Sequence, residues 1–136
     1  MPLPASVRNL YSPDGIIRLM LGVSLLGHGL VRLPKLRAFA DGMVEEFSQT
    51  VLPEAMVRPA GYLIPIAELL LGLLLLLGVR LRLTAYASGV LMVMLALGTC
   101  FQENWGALPS QFLHAAFAAW LMHRAGQVAK RDRSLA

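Results

Sequence analysis

The stretch that decides the fold is PAGYLIPIAELLLGLLLLLGV, residues 59–79, in which Glu68 is the only charged residue. A helix that crosses a bilayer needs about 20 largely apolar residues. The run Leu69–Leu77 is interrupted only by Gly72, and it predicts a membrane-spanning helix. Because Glu68 lies near the middle of that helix, the same stretch also marks a candidate functional residue.

The composition of the whole chain agrees with a membrane protein. Of its 136 residues, 57% are hydrophobic and 15% are charged, and the mean hydropathy is +0.62. An average soluble domain carries about 25% charged residues, so this chain is too apolar for a surface that faces water. The net charge is +4, but the basic residues lie near helix ends and form no single basic face, which argues against nucleic-acid binding. Cys100 is the only cysteine, so the chain has no CxxC pair.

We expect an all-α integral membrane four-helix bundle that occupies residues 1–136 as one domain. The predicted helices cover about residues 13–33, 59–79, 83–101 and 108–123, and a basic tail follows at 124–136. The sequence Ser12-Pro13-Asp14 is typical of a helix start, with a capping residue, a proline in the first turn and an acid beside it. The fourth apolar run is the shortest and has to tilt little or thin the bilayer locally.

A long connection, residues 34–58, separates the first two predicted spans. Its apolar residues Leu36, Phe39, Met43 and Phe47 recur at helical spacing and share one face. This pattern predicts an amphipathic extramembrane helix at the membrane interface or over the mouth of the bundle. A solvated loop helix is the alternative.

The distribution of lysine and arginine predicts the orientation. Seven such residues fall on the side of the termini, and four fall on the other side: Arg8, Arg80, Arg82, Arg124, Lys130, Arg131 and Arg133, against Arg32, Lys35, Arg37 and Arg58. Basic residues are enriched on the cytoplasmic side of membrane helices. We therefore expect both termini in the cytoplasm, with the protein in a bacterial inner membrane.

Polar residues inside the predicted spans are the candidate site residues, because ionisable groups in a membrane are expensive and usually functional. Ser24, His28 and Arg32 recur every four residues and share a face of the first helix. In the predicted topology, candidate ligand-binding residues from three helices lie at one depth: His28, Arg32, Glu68, Gln111 and His114. We predict that Glu68 contacts at least one of His28, Arg32 and His114, since an unpaired carboxylate at that depth is costly.

Each of these residues also has a structural interpretation. His28, Gln111 and His114 are suited to hydrogen bonds between helices. Arg32 can extend to the lipid headgroups, and Glu68 can form an ion pair that joins two helices. A metal site is not expected, because the sequence has no HxxxH or HxxE spacing.

The motifs resemble those of the DoxX family of small four-helix membrane proteins. RLMLG at 18–22 followed by HGLVRL at 28–33 looks like the first-helix pattern of that family, and residues 65–78 with Arg82 look like the second. FQENW at 101–105 and QFL at 111–113 are similar to a bacterial branch of the family. The resemblance covers about residues 15–124. Family members usually have a lysine after the His-Gly pair, where this chain has Arg32.

The resemblance implies a link to redox chemistry. One branch, the DoxD subunit, belongs to a thiosulfate:quinone oxidoreductase, and others are linked to thiol or oxidative-stress systems. We therefore expect a quinone-interacting subunit of a membrane redox system, with quinone as the cofactor and no bound metal or nucleotide. Its expected partners are the lipid bilayer and a soluble or membrane redox subunit. Whether it also associates with a second copy of itself is left open.

In that interpretation, His28, Arg32 and His114 donate hydrogen bonds to the quinone and Glu68 exchanges protons. No residue is assigned to catalysis, and whether the chain is an enzyme is left open. The alternatives are a non-enzymatic membrane assembly or adaptor protein and a small-solute transporter.

Overall fold

The computed structural model describes residues 9–134, with side chains from residue 10 to residue 127. Within this range the chain forms five α-helices: α1 Pro13–Arg32, α2 Leu36–Glu46, α3 Glu54–Leu77, α4 Leu81–Phe101 and α5 Leu108–Ser134. Short 3-10 turns at Asn9–Tyr11 and Leu33–Lys35 flank α1, and the described residues contain no strand. The protein is all-helical, as predicted. Arg8 and the side chains of the basic tail from residue 128 lie outside this description.

Three helical stretches of the described chain are long and apolar enough to cross a membrane: Pro13–Glu46, Glu54–Leu77 and Leu81–Phe101. Large apolar side chains on their outer faces are exposed, for example Met20 at 60% and Val93 at 65%. Such exposure suits lipid and not water. The protein is therefore an integral membrane protein. The sequence predicted four spans, but α5 does not meet the same criterion of length and composition.

The start of α1 is the predicted one. The Ser12 hydroxyl accepts a hydrogen bond from the Gly15 backbone N–H at 3.1 Å, and Pro13 opens the helix. This cap satisfies one of the backbone donors that a helix start leaves free. At the end of α3, Gly78 adopts the left-handed conformation with φ 69°, which a residue without a side chain reaches at little cost.

Two helix boundaries differ from the prediction. α3 begins at Glu54 instead of residue 59, because Pro53 precedes the first turn and Glu54 pairs with Arg58 one turn later at 2.8 Å. α5 continues to Ser134 instead of ending at residue 123. The residues that follow are mostly alanine, glutamine, lysine and arginine, which favour helix, and no proline stops them.

The predicted amphipathic segment 34–58 is not one helix. Only Leu36–Glu46 is helical after the 3-10 turn, and turns and bends lead from there to α3. The one buried residue of α2 is Ala40, which lies against Gly61 of α3. Ala40 was not one of the four residues predicted to form the apolar face. An alanine and a glycine meet here because only small side chains let two helices approach this closely.

The hydrophobic core lies at the end of the bundle that is distant from Arg32. Its buried residues come from four helices: Leu21 and Leu25 of α1, Leu75 of α3, Ala85 and Met92 of α4, and Ala118 and Leu121 of α5. α1 and α3 are held close together by Gly29 and Gly72. An added side-chain carbon on Gly29 would lie 2.5 Å from the Leu69 backbone nitrogen, and one on Gly72 would overlap Leu26.

Candidate ligand-binding site

One face of α1 passes from complete burial to exposure along the helix. Arg18, Leu21 and Leu25 are at most 3% exposed, and the same stripe continues three and seven residues later with His28 and Arg32. His28 is exposed, and the Arg32 side chain is 27% exposed. The inner face of α1 is therefore covered up to Leu25; beyond it Gly29 stays buried against α3, while His28 and Arg32 are at least partly exposed. We call this end of the bundle the polar opening and define it by His28, Arg32 and Glu68.

The centre of the polar opening is an ion pair between α1 and α3. Nη1 of Arg32 donates to both carboxylate oxygens of Glu68, at 2.8 and 2.6 Å. The Glu68 side chain is 4% exposed, so the carboxylate is almost entirely removed from solvent and lipid. The predicted contact between Glu68 and one of three cationic or imidazole partners is present, and Arg32 provides it. A buried carboxylate at this depth is tolerated because its charge is compensated.

The Arg32 guanidinium is held from a second side by α2. Its central carbon lies 4.8 Å from the centre of the Phe39 ring, which is a cation–π distance. Phe39 therefore covers one face of the guanidinium, and Glu68 accepts hydrogen bonds from one of its two terminal nitrogens. The other two nitrogens, Nε and Nη2, make no hydrogen bond within the described residues.

His28 and His114 both contact Ser24 and do not contact Glu68. Nδ1 of His28 donates to the Ser24 carbonyl oxygen at 2.8 Å, one turn earlier on α1. Nδ1 of His114 donates to the Ser110 carbonyl oxygen at 2.7 Å, so in the neutral ring Nε2 accepts from the Ser24 hydroxyl, also at 2.7 Å. Ser24 therefore links α1 to α5 and connects the two imidazoles.

Gln111 is directed towards α4. Its Nε2 donates to the Thr99 hydroxyl at 2.7 Å, and Thr99 is 6% exposed. The Gln111 Oε1 atom is buried without a hydrogen-bond partner in the described residues. Gln111 thus joins α4 to α5, and it does not contact the pair of Arg32 and Glu68.

The five predicted residues therefore do not form one cluster at one depth. They form separate contacts between helices, because His114 meets α1 at Ser24, eight residues or roughly 12 Å along the axis before Arg32. The rotation of α5 about its axis decides which helix each side chain contacts. Gln111 and His114 are three residues apart, yet Gln111 contacts α4 and His114 contacts α1. A role for the five in binding a ligand stays a prediction.

Sequence reasoning missed a further contact at the opposite end of the bundle. Asp14 accepts hydrogen bonds from Trp120 Nε1 at 2.8 Å and from Arg124 Nε at 2.9 Å, which ties the start of α1 to α5. Asp14 was interpreted only as a first-turn acid. The signal was available, because Trp120 and Arg124 are four apart and share a helix face.

Two other features do not belong to the polar opening. A cavity of about 340 Å³ lies beside Phe47, Ser48 and Glu54, and none of the five predicted residues lines it. Cys100 is exposed at the end of α4. Within the described residues, no group of three histidine, cysteine or acidic side chains is placed to hold a metal ion.

A comparison with protein families identifies the chain. The model of methylamine utilisation protein MauE matches residues 12–106, which include His28, Arg32 and Glu68 but not Gln111 or His114. Searches of curated proteins and of solved structures gave no match.

The resemblance to the DoxX family is therefore wrong. The family match is to MauE, a different membrane family, and no match to DoxX was found. The motifs misled because they reflect helix packing: Gly29 and Gly72 permit the close contact of α1 and α3, and Arg32 pairs with Glu68. Small residues such as these glycines are common wherever two membrane helices pack closely, so they do not identify a family. The chain belongs to the MauE family.

Proposed function

We propose that this protein is a membrane-embedded component of a redox system that serves methylamine utilisation, and that its polar opening binds a quinone headgroup. The family description supports the first part, and the three apolar helical stretches place the component in the membrane. The second part rests on the chemistry of Arg32.

The observation that carries the quinone site is the incomplete use of the Arg32 guanidinium. Only Nη1 is occupied by Glu68, while the N–H groups of Nε and Nη2 have no partner in the described chain and the side chain is 27% exposed. Unpaired donors at such a site favour a ligand that accepts hydrogen bonds. Because Glu68 already neutralises Arg32, a carbonyl oxygen suits the opening better than an anion, which Glu68 would repel.

The surroundings of Arg32 suit a lipid-soluble ligand. Leu30 and Val31, beside Arg32 on α1, are 54% and 63% exposed, and they extend the apolar surface up to the opening. A hydrophobic compound dissolved in the bilayer can therefore reach the guanidinium from the side. An apolar wall with a few placed polar groups is the usual composition of a small-molecule site.

The proposed arrangement also assigns roles to α2 and α5, the helices near the polar opening. α2 lies as an amphipathic cap over α3, with Ala40 buried against Gly61, while Arg37 is 90% exposed. α5 serves as a fourth span, because Phe112 and Trp120 expose large apolar surface next to the other helices. The termini then share one side of the bacterial inner membrane, which is the cytoplasmic side by the distribution of basic residues.

Binding of a labelled short-chain ubiquinone to the purified protein in lipid nanodiscs tests the proposed site. The informative variant is the double substitution Arg32→Gln with Glu68→Gln, because it removes the guanidinium donors without leaving an unpaired charge. We expect saturable binding to the natural protein and at least tenfold weaker binding to the double variant. Arg37→Gln, on the exposed side of α2, is the matched control and should bind as the natural protein does.

No saturable binding to the natural protein would overturn the quinone site, as would equal affinity in the double variant. The second candidate function, a non-enzymatic assembly or adaptor protein, would then account for the polar residues. It is favoured by the contacts of Ser24 with His114, Gln111 with Thr99 and Asp14 with Arg124, each of which joins two helices.

A further inference from the structure

His28 presents an unpartnered hydrogen-bond acceptor in the polar opening. Its Nδ1 atom donates to the Ser24 carbonyl oxygen, so in the neutral ring the proton lies on Nδ1 and Nε2 is an acceptor. Nε2 makes no hydrogen bond within the described chain, and the residue is exposed. A polar atom without a partner is costly inside a membrane, so this position favours a ligand with a hydroxyl group.

The acceptor lies close to the donors of Arg32. The two residues are one turn apart on the same stripe of α1, which corresponds to roughly 6 Å along the helix axis. The Glu68 side chain is only 4% exposed and His28 is exposed, so His28 Nε2 is the accessible acceptor among these three side chains. The opening therefore combines unused donors on Arg32 with one unused acceptor on His28.

We infer that the polar opening distinguishes the redox states of its ligand and prefers the hydroquinone to the quinone. A quinone has two carbonyl oxygens and can only accept, so it satisfies Arg32 and leaves His28 without a partner. A hydroquinone has two hydroxyl groups, one of which can accept from Arg32 while the other donates to His28. This inference rests on the proposed function, and it makes His28 the residue that determines the preferred redox state.

Three probes with the same ring and short alkyl tail test the preference in nanodiscs under anaerobic conditions: the hydroquinone, the quinone and the dimethyl ether of the hydroquinone. The ether keeps the shape of the hydroquinone and cannot donate a hydrogen bond. We expect the natural protein to bind the hydroquinone about three- to tenfold more tightly than either other probe, the ratio that one neutral hydrogen bond commonly contributes.

His28→Phe is the informative variant, because it keeps an aromatic ring and removes the acceptor. It should bind all three probes with equal affinity, so the preference for the hydroquinone is lost, and saturable binding of the quinone shows that the opening is still formed. His123→Phe is the matched control, an exposed histidine towards the opposite end of the bundle, and it should retain the preference.

The outcomes separate this inference from the proposed function. Equal binding of the three probes by the natural protein would overturn the inference and leave the quinone site in place. The same holds if His28→Phe lowers all three affinities equally or keeps the preference. Failure of the natural protein to bind any probe would overturn the proposed quinone site itself.

Discussion

Arg32 and Glu68 lie on two helices of the membrane domain, and each is acceptable there because of the other. Glu68 is 4% exposed and accepts two hydrogen bonds from one guanidinium nitrogen. The attraction within such a pair offsets the cost of removing the charges from water, so the pair itself adds little net stability. Its effect is instead on specificity, since one rotation of α1 and α3 satisfies both groups.

Removing one member of the pair should be worse than removing both. Glu68→Gln leaves Arg32 without a counter-charge, and we expect it to lower the free energy of unfolding by about 2 to 3 kcal/mol, less than for a fully buried pair because Arg32 is partly exposed. Arg32→Gln combined with Glu68→Gln should cost less than Glu68→Gln alone. Chemical denaturation in detergent micelles measures both.

Arg37→Gln provides the control for this experiment. Arg37 is 90% exposed and lies 3.9 Å from Asp41, so its loss should change the free energy of unfolding by no more than about 0.5 kcal/mol. A double variant that loses as much free energy of unfolding as Glu68→Gln alone, or more, would contradict the coupling between Arg32 and Glu68.

At the level of single residues, the sequence predicted a partner for Glu68 but could not choose it. The depth of a residue in the membrane follows from its position along its helix, and this limited the candidate partners of Glu68 to His28, Arg32 and His114. The choice depends on helix rotation, which placed His114 against Ser24 and Gln111 against Thr99. The role of Phe39 was also hidden, because an aromatic residue on an apolar face gives no sign that it will stack on an arginine.

At the level of helices, glycines decide how α1 and α3 pack. Gly29 faces the backbone of Leu69, and Gly72 faces the backbone of Leu26, so any side chain at either position would separate the helices. Gly27 is only two residues from Gly29, yet an added side-chain carbon there would meet no atom within 4 Å. The two positions therefore form a matched pair on one helix.

Gly29→Ala should destabilise the protein, whereas Gly27→Ala should not. The added carbon at residue 29 has to displace the main chain of α3, for which we expect a loss of about 1 to 3 kcal/mol. Gly27→Ala should be neutral or stabilising by up to about 1 kcal/mol, because alanine is the better helix former. Thermal unfolding in one detergent compares the two, and equal melting temperatures would argue against the close contact.

Helix positions were more predictable than helix lengths. The start of α1 was predicted because Ser12 and Pro13 act locally. The end of α5 was not, because a run of basic residues indicates an interface without stopping a helix, and α5 continues to Ser134. The segment 34–58 was predicted as one helix from its apolar spacing, but the helix ends at Glu46, and the buried Phe47 that follows lies near Gly98 of α4.

At the level of the whole molecule, the connections between helices lie at two ends of a bundle whose apolar surface suits lipid. Hydrogen bonds and packing bring the α2–α3 connection and the α4–α5 loop together, since Gln102 donates to Glu46 at 3.2 Å. These two connections therefore lie at one end of the bundle, and the turn around Gly78 lies at the other. Composition alone predicted the membrane location, whereas the family could not be read from short motifs.

Cysteine labelling of intact cells tests this arrangement in a Cys100→Ser background. Ser48→Cys and Asn104→Cys are at exposed positions of the two neighbouring connections, and both should react with a membrane-impermeant maleimide from the periplasmic side. Val79→Cys, exposed in the opposite turn, should react only after the membrane is permeabilised. Reaction of Ser48→Cys and Val79→Cys from the same side would refute the topology.

The pairing of Arg32 with Glu68 also has a consequence for biosynthesis. The two residues are 36 positions apart, so Arg32 meets its counter-charge only when α3 has followed α1 out of the ribosome. Arg32 is the last residue of α1, so its insertion costs less than the about 2.5 to 3.5 kcal/mol of an arginine at the centre of a membrane helix. The guanidinium should therefore stay at the level of the lipid headgroups until α3 arrives. The buried ion pair then forms after α1 has inserted, when α3 packs against it.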